Sequence, residues 1–287
     1  MEESYFGFIM RKLKQKSAKI FVYSVLTLTL LTSLFPIFWT ISTSIKKRVD
    51  TFAIPPKFFN FSPTMDNYRK LFSDPTFIRV YVNTIFFTLG AAFLSICIGS
   101  LAAYAIARNP RFRGKATFEI LLILLRAMPG VVLIVPLYDL CAKFHLLGEL
   151  PVLITIITVF NLPFTIWMLT PFFAAIPIEL EEAGMVDGLS TWQIFRQIVI
   201  PLAIPGISAA AIFLSLLTWN EFLVPVILGD QSTQTLPVFI SGFIAARTLD
   251  WGPMAAASSL AIIPIAVLTV FVQRKLVVGL SLGALKE

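Results

Sequence analysis

Long runs of apolar residues alternate with shorter polar segments along the chain, and their length decides the fold class. A helix needs about 20 residues to cross the ~30 Å hydrocarbon core of a bilayer. Six runs reach that length, and they predict transmembrane helices near 20–45, 79–107, 118–141, 151–174, 203–228 and 252–273. We therefore predict an all-α polytopic membrane protein, in which six spans place both termini on the same side of the membrane.

The polar segments divide the chain into regions. We predict an N-terminal tail at 1–19, a first transmembrane helix at 20–45, an external loop at 46–78, a transmembrane core at 79–276 that includes a polar loop at 175–201, and a C-terminal tail at 277–287. The loop 46–78 is rich in Pro and Phe, which predicts an extended, aromatic-lined surface.

The distribution of basic residues predicts the orientation. With the N-terminus inside, the cytoplasmic segments hold 13 of the 23 Lys and Arg residues and the external segments hold nine. Since basic residues are enriched in cytoplasmic loops, both tails are predicted to be cytoplasmic. The cluster Lys46-Lys47-Arg48 opposes this orientation, and the dense basic loop at 108–115 partly offsets it.

Composition supports the membrane class and excludes others. The chain is 57% hydrophobic and only 14% charged, which is too apolar for an ordinary soluble domain. Its net charge of +7 comes from residues that flank the apolar runs, so phospholipid headgroups explain it better than nucleic acid does. The first apolar run continues to Ile45 without a small-residue cleavage pattern, which predicts a retained span and not a signal peptide.

The polar loop 175–201 has a strong helix start. Pro177 suits the first helical position, because its missing N–H has no partner there in any case. The carboxylates of Glu179, Glu181 and Glu182 then fill the first turn, where they meet the positive end of the helix dipole. This pattern predicts a short helix at the beginning of the loop.

The same loop predicts a tight corner and a second helix. Asp187 and Gly188 mark the end of the first helix, since glycine accepts the left-handed conformation that closes helices. Ser190 and Gln193 have the spacing of a capping box, which starts the next helix at once. The loop thus predicts two short helices with a glycine corner between them.

An apolar stripe and a proline complete the pattern of the loop. Trp192, Phe195 and Val199 recur on one helical face, and Pro201 is predicted to end the second helix. We interpret the loop as a docking element for another protein. The alternative is an amphipathic segment that lies on the membrane surface. Helices of that kind are usually rich in Lys and Arg, whereas Arg196 is the one basic residue of this loop.

Three short segments of the loop together resemble the EAA loop of ABC importer membrane subunits. They are Glu182-Ala183-Gly184, Asp187-Gly188 and Ile198-x-Ile200-Pro201, with Gly184 where the family usually has a second alanine. In that family the loop forms coupling helices that sit in a cleft of the cytoplasmic ATP-binding subunit. The resemblance implies that residues 175–201, here named the coupling loop, contact an ATPase.

The resemblance assigns roles within the coupling loop. Glu182 and Asp187 are candidates for polar contacts with the ATPase, next to the small residues Ala183 and Gly184. Gly188 would form the corner. Trp192 and Phe195 would pack the loop onto its own transmembrane helices, up to the boundary at Pro201.

Further motifs occur in the order that is typical of the carbohydrate branch of this family: Ala102-Ala103-Tyr104-Ala105 with Arg108, Met128-Pro129, Phe160-Asn161 and Trp219-Asn220-Glu221-Phe222. Asn67-Tyr68 and Asn83-Thr84 also resemble motif positions of this branch. The chain resembles the smaller of the two paired permease subunits of maltose-type importers. This likeness implies the transmembrane-domain fold of type I ABC importers in a prokaryotic plasma (inner) membrane.

The resemblance also implies partners for this chain. They would be a homologous second permease, a dimer of ATP-binding subunits that carries the ATP and Mg²⁺, an extracytoplasmic solute-binding protein and the lipid bilayer. The Asn67 and Asn83 segments have an alternative explanation of equal weight, in which they belong to an ordinary aromatic belt at the membrane interface and are not family motifs.

Ionisable residues at membrane depth usually line a solute pathway or form an ion pair with another residue. Arg126 precedes Met128-Pro129-Gly130, where the third span is predicted to break. Its alternative role is an ion pair with Glu119, two turns earlier on the same face.

The segment Trp219-Asn220-Glu221 combines a flat apolar surface with hydrogen-bonding groups, which is what a sugar requires. Its alternative role is interfacial anchoring, with a salt bridge from Glu221 to Arg247 or Arg126. With Asn83, Arg126 and Asn161, these three residues are the candidates for the solute pathway.

The chain has no motif that would supply energy or catalysis. No G-x-x-x-x-G-K-[ST] loop occurs, because Gly114-Lys115 lacks the upstream glycine at Asn109, and no metal-site or nucleophile motif is present. We therefore predict no catalytic residue, metal or cofactor on this chain. A rival class, a secondary transporter driven by ions through Glu221 or Arg126, would show inverted repeats, and none is visible.

Overall fold

The computed structural model of the chain describes residues 2–109, 112, 114–245 and 250–283. Within these ranges the secondary structure is helical, and a π turn at Phe195–Val199 joins two of the helices. The helices are α1 (Glu2–Ser44), α2 (Arg48–Thr51), α3 (Asp66–Ser73), α4 (Pro75–Arg108), α5 (Lys115–Ala127), α6 (Gly130–Lys143), α7 (Leu150–Ala174), α8 (Glu179–Val186), α9 (Thr191–Ile194), α10 (Ile200–Trp219), α11 (Leu223–Leu228), α12 (Leu236–Ala245) and α13 (Trp251–Gly283). The predicted all-α class is confirmed.

Five helical segments of the described chain are long and apolar enough to cross a membrane. They are Lys19–Ser44, Pro75–Arg108, Leu150–Ala174, Thr191–Trp219 and Trp251–Val270. The segments Thr117–Ala127 and Gly130–Lys143 meet at an angle of 79°, and counted together they form a sixth, broken span. The break falls at Met128 and Pro129, whose extended backbone interrupts the helix where the sequence predicted it.

The fifth span differs from its prediction. The sequence predicted that Pro201 ends the second loop helix and that the span covers 203–228, but one continuous helical segment runs from Thr191 to Trp219. Pro201 lies at the start of α10, directly after the π turn. A π turn widens the backbone spiral and so accommodates a proline that lacks a donor. The second helix of the coupling loop is therefore the beginning of the fifth span.

The ends of the chain are more helical than the sequence suggests. α1 begins at Glu2, so the segment 1–19 continues the helix of the first span. α13 extends to Gly283, so the segment 277–287 starts inside this helix, and its last four residues lie outside the described ranges.

The helices form two compact units, of which the first comprises residues 1–71 and 248–260. In this unit the loop 46–78 folds back onto the end of α1 through its aromatic rings. The ring of Phe58 lies 5.2 Å from Trp39, and the ring of Phe59 lies 5.5 Å from Phe38. The amide of Asn67 donates to the carbonyl of Ser44 over 2.8 Å. These contacts give the Phe-rich loop a packing role close to the predicted membrane interface.

Lys46 is a buried cation within the same unit. Its side chain is 2% exposed, and its Nζ donates to the carbonyl of Lys57 over 2.6 Å. The Nζ also lies 4.2 Å from the ring centroid of Trp39, a cation–π distance. Burial lowers the pKa of Lys46, and the charge of Asp50 acts in the opposite direction. Lys46, one of the nine basic residues predicted to be external, therefore has a structural role.

The second unit comprises residues 72–247 and 261–287, and α4 packs along α7 and α10 inside it. A Cβ atom on Gly99 of α4 would lie 2.5 Å from Cγ2 of Thr165 on α7, so these two helices approach closely. Small residues allow such approaches between membrane helices. One core cluster surrounds Phe173 and Val199 beside the coupling loop, and another surrounds Phe87 toward the other end of α4.

Candidate coupling loop and membrane cavity

The corner of the coupling loop is a glycine-closed helix end. Gly188 has a φ of +82°, its N–H donates to the carbonyl of Met185, and the N–H of Leu189 donates to the carbonyl of Gly184, both over 3.0 Å. This is the Schellman pattern. The predicted corner is confirmed, whereas the helix starts at Glu179 and leaves Pro177 outside it.

The capping box that follows the corner is also confirmed. The Gln193 Oε1 accepts from the backbone N–H of Ser190 over 2.8 Å, and the Oγ of Ser190 accepts from the backbone N–H of Gln193 over 3.4 Å. The end of α8 and the start of α9 are thus both capped, which holds the connection between them in one conformation.

Gly184 brings α8 into close contact with the fifth span. A Cβ atom at this position would lie 2.8 Å from Cδ1 of Ile198 and 3.3 Å from Cγ1 of Ile194. The glycine that departs from the usual EAA pattern therefore lies where the two helical segments are in close contact. The small residue lets α8 and the π turn pack as one body.

The aromatic residues of the loop divide between the core and the surface. Phe195 is 6% exposed, and its ring lies 5.0 Å from Tyr104 on α4. Trp192 is 60% exposed and stacks on Phe195 at 5.6 Å. The prediction that Trp192 packs the loop onto its own helices is therefore wrong, because the buried residues that follow it are Ile194 and Phe195.

The coupling loop leaves a mixed apolar and acidic surface uncovered. Val186 is 88% exposed and Met185 is 57% exposed, in addition to Trp192. The side chains of Glu182 and Asp187 are exposed beside them. Exposed apolar residues that are rimmed by charges are typical of a protein interaction site.

Glu181 is a site residue for which the sequence predicted only the role of a first-turn carboxylate. Its side chain is 4% exposed. Its Oε1 accepts from Nε of Arg108 over 2.6 Å, and its Oε2 accepts from the hydroxyl of Tyr104 over 2.6 Å. Arg108 also donates to the carbonyl of Ile176 over 2.8 Å. The three side chains join α8 to the end of α4.

The sequence contains half of the signal for this network. Tyr104 and Arg108 are four residues apart on α4, so they share a helical face, and both belong to the family motif. Their partner lies 73 residues after Arg108, a separation that no local pattern reveals. Removing one member of a buried ion pair costs about 3–5 kcal/mol, since it leaves the other charge without a partner.

A cavity of about 410 Å³ opens at the break between α5 and α6. Arg126 and Gly130 line it from the break, Phe160 from α7, and Glu221 and Leu223 from the segment after α10. It therefore combines one cation, one carboxylate and one aromatic ring with apolar walls. This composition is that of a site for a small polar solute.

Arg126 has no ion pair with Glu119 or with Glu221 in the part of the chain that the structure describes. The ion pairs found there join Lys57 to Asp50, Arg69 to Asp66 and Arg108 to Glu181. The proposed partner Arg247 lies outside the described residues. The Oε1 of Glu221 accepts from the backbone N–H of Val224 over 3.1 Å and so caps the start of α11.

Asn83 and Asn161 lie elsewhere in the fold. The amide of Asn83 donates to the carbonyls of Ser232 and Gln234 over 2.7 and 3.2 Å. Asn161 is 1% exposed and donates to Oγ1 of Thr218 over 3.1 Å. Both amides serve helix and loop packing, and neither lines the cavity.

Trp219 and Asn220 also make other contacts. The ring of Trp219 is 5% exposed and meets Tyr81 edge to face at 6.0 Å. Asn220 donates to the carbonyl of Leu216 over 2.8 Å. Of the six candidates for the pathway, the structure brings only Arg126 and Glu221 together.

Membrane-spanning helices, a capped loop with an exposed apolar and acidic surface, and a cavity at a helix break are together typical of a membrane transport subunit. Residues 95–280 match the model of the family described as binding-protein-dependent transport system inner membrane component, and the chain belongs to this family. It is therefore a multi-pass inner membrane permease subunit.

Similar proteins of known name support the assignment. The chain is 34% identical over 272 residues to the sulfoquinovosyl glycerol transport system permease protein SmoH of Agrobacterium fabrum, with 94% of this chain and 95% of the relative covered. It is 34% identical over 253 residues to the diacetylchitobiose uptake system permease protein DasC of Streptomyces coelicolor, with 88% and 91% covered.

The fold has solved counterparts. One is a chain of a bacterial ABC transporter involved in the import of the acidic polysaccharide alginate, with a TM-score of 0.72 and 22% identity over 89% of this chain and 95% of that chain. This likeness confirms the transmembrane-domain fold of ABC importers that the resemblance implied.

Proposed function

We propose that this chain forms half of the translocation pathway of an ATP-driven importer for a sugar or a sugar-derived solute. The observation that carries the proposal is the exposed apolar and acidic surface of the coupling loop, which rests on a closely packed base. The relatives that transport diacetylchitobiose and sulfoquinovosyl glycerol support a carbohydrate substrate. ATP hydrolysis would take place on a separate dimer of ATP-binding subunits.

The coupling loop would dock into one of these ATP-binding subunits. Val186 and Trp192 supply the apolar contact area, and Glu182 and Asp187 supply polar contacts at its edge. Aromatic residues at the centre of a contact carry much of its binding energy. This assignment places the loop and both chain termini in the cytoplasm, and a solute-binding protein would deliver the solute on the opposite side.

Movement of the docked loop would open and close the pathway. Closure of the ATP-binding dimer would displace α8, and the contact of Gly184 with Ile198 would carry the start of the fifth span with it. The caps at Gly188 and Ser190 keep the two segments in one relative orientation. The loop would therefore move as a rigid body and not bend at its corner.

The cavity at the helix break would contribute to the solute pathway. Its volume of about 410 Å³ lies in the usual range of small-molecule sites. Phe160 offers an apolar face to the C–H groups of a sugar, and Arg126 and Glu221 offer hydrogen-bond partners to its hydroxyls. A homologous second permease would complete the wall of the pathway.

Reconstitution tests this function directly. The chain is purified with the second permease and the ATP-binding subunit from its own genome and placed in liposomes with the solute-binding protein and radiolabelled disaccharides. We expect uptake that requires ATP on the coupling-loop side and persists without an ion gradient. Uptake that follows a proton or sodium gradient without ATP would establish the secondary transporter in its place.

A matched pair of variants tests the docking surface. Glu182→Lys should lower the amount of ATP-binding subunit that copurifies by at least about tenfold, the effect of losing ~1.4 kcal/mol. Glu179→Lys is the control, because it makes the same change in the same helical turn and carries the same dipole cost. Equal retention of the ATP-binding subunit by both variants would remove Glu182 from the interface.

A further inference from the structure

Helix α4 makes polar contacts with a different loop at each of its ends. Toward its C-terminus Tyr104 and Arg108 bind Glu181 of the coupling loop. Toward its N-terminus Asn83 binds the loop 229–235 between α11 and α12, and Thr84 binds Leu236 directly after this loop. With a rise of ~1.5 Å per residue, Asn83 and Arg108 lie roughly 38 Å apart along the helix axis.

The contact with the coupling loop is buried and directional. Glu181 uses one oxygen for Arg108 and the other for Tyr104, and the Tyr104 ring packs 5.0 Å from Phe195. A buried ion pair adds little net stability compared with apolar packing, because its charges lose their hydration. Its geometry instead fixes α8 against α4 in one arrangement.

The contact at the other end of α4 is equally well defined. The amide of Asn83 donates to two carbonyls of the loop 229–235, and Oγ1 of Thr84 accepts from the backbone N–H of Leu236 over 2.8 Å. Asp230 organises the loop from within, since its Oδ1 accepts from the backbone N–H groups of Ser232 and Thr233 over 2.8 and 3.0 Å. Hydrogen bonds, first that from the Ser232 hydroxyl, hold the pKa of Asp230 below its usual range.

The helix between these contacts suits the transmission of movement. α4 is continuous over 34 residues, and its one proline lies at its first position. Proline, Gly/Ser pairs and π turns are the usual sites of helix kinks, and neither an internal proline nor a π turn interrupts α4. Its Gly99-Ser100 pair lies in the close contact with Thr165 of α7, which supports the helix there, so a displacement at Arg108 would reach Asn83.

We propose that α4 is the transmission rod of the permease. Glu181, Arg108 and Tyr104 attach it to the coupling loop, and Asn83 and Thr84 attach it to the loop 229–235 at the opposite end. This inference rests on the proposed function, because an ATP-binding subunit must displace the coupling loop. These five residues are positioning residues, which act through α4 and touch no solute.

The proposal makes the two loops energetically reciprocal. If the state of the coupling loop changes the conformation of the loop 229–235, then a partner that binds the loop 229–235 must change the coupling loop by the same free energy. Nucleotide binding at one membrane face would therefore change the conformation of the loop 229–235 at the other face through α4.

Thiol labelling measures this transmission. Gln231 is exposed in the outer loop, so Gln231→Cys is introduced after Cys97→Ser and Cys141→Ala remove the native thiols. The complex with the second permease and the ATP-binding subunits is labelled with and without ATP and vanadate, and mass spectrometry follows the peptide that contains position 231. We expect ATP to change the labelling rate by about fivefold, the low end of ordinary allosteric coupling.

Variants at both ends of α4 decide the role of the contacts. Glu181→Gln should remove the ATP-dependent change at position 231 while the ATP-binding subunits remain bound, and Glu179→Gln should preserve it. Asn83→Asp, which replaces the amide donor by an acceptor, should also remove the change while ATP is still hydrolysed. If Glu181→Gln prevents assembly, the result of Asn83→Asp decides the question.

The outcomes separate this inference from the proposed function. If no ATP-binding subunit copurifies with the unsubstituted chain, the proposed function fails and the transmission rod fails with it. If ATP is hydrolysed but labelling at position 231 does not respond, only the transmission rod is overturned. An unchanged response in Asn83→Asp likewise overturns it.

Discussion

Gly184 and Ile198 lie in close contact between α8 and the fifth span, since a Cβ atom on Gly184 would lie 2.8 Å from Cδ1 of Ile198. The atom it would meet is the terminal methyl of a flexible side chain. We expect Gly184→Ala to fold and transport, because a gain of about 1 kcal/mol in helix propensity offsets the displacement of that methyl.

A larger side chain at the same position should behave differently. The larger side chain in Gly184→Val needs more space than a movement of Ile198 can provide. Overpacking of this kind typically costs about 1–3 kcal/mol. We expect lower thermal stability of the purified complex and loss of uptake with valine, against near-normal values with alanine. Equal thermal unfolding of the two variants would show that the contact does not restrict the size of residue 184.

The glycine corner should be sensitive to backbone conformation and not to volume. Among the described residues other than Gly188 and its chain neighbours, none lies within 4 Å of a Cβ on Gly188, but the φ of Gly188 is +82°. Gly188→Val should abolish uptake while the chain stays in the membrane, because a β-branched residue is strained in the left-handed region. Gly188→Asn should retain most uptake, since asparagine tolerates that region. Wild-type uptake by the valine variant would remove the corner from the mechanism.

The two aromatic residues of the loop should have separable effects. Trp192→Ala should weaken binding of the ATP-binding subunit by about 2 kcal/mol and leave the stability of the chain unchanged, because the indole is exposed. Phe195→Ala should lower the free energy of unfolding by about 3–5 kcal/mol, because the ring is buried. Titration of the ATP-binding subunit and thermal unfolding, measured on both variants, check the pair. A large loss of stability in Trp192→Ala would contradict the assignment.

The cavity residues should affect transport and not assembly. Arg126→Gln and Glu221→Gln should each lower the uptake rate while the ATP-binding subunit still copurifies, since both side chains line the cavity and lie away from the coupling loop. Glu119→Gln is the control, because its carboxylate makes no ion pair with Arg126. An equal loss of uptake in Glu119→Gln would restore the idea that Glu119 and Arg126 act as a pair.

The sequence predicted the features of this fold that depend on neighbouring residues. The corner follows from a glycine at position 188, and the break follows from a proline at position 129. The capping box follows from the spacing of Ser190 and Gln193. The boundary at Pro201 was wrong because the backbone adapts through a π turn, which has no sequence signal. Contacts between distant segments, such as that of Glu181 with Arg108, depend on packing that no local pattern encodes.

The candidate pathway residues also show that neighbours in sequence need not share a site in the fold. The sequence grouped Trp219, Asn220 and Glu221 because they are consecutive, yet their side chains diverge where α10 ends. The ring of Trp219 turns into the core beside Tyr81, and Glu221 caps the next helix at the edge of the cavity. The buried indole packs edge to face against Tyr81, an arrangement that aromatic pairs favour, so packing determines its position.

The π turn at Phe195–Val199 also has a consequence for helical register. One extra residue in the spiral rotates everything that follows by about 100° relative to an uninterrupted α-helix. The side chains from Ile200 to Trp219 therefore face different directions from those expected if α9 continued into α10 as a regular α-helix. A deletion of one residue within 195–199 would therefore convert the π turn to an α turn and leave the remaining fifth span facing as it does here, whereas a deletion at the start of α10 would rotate the residues that follow it.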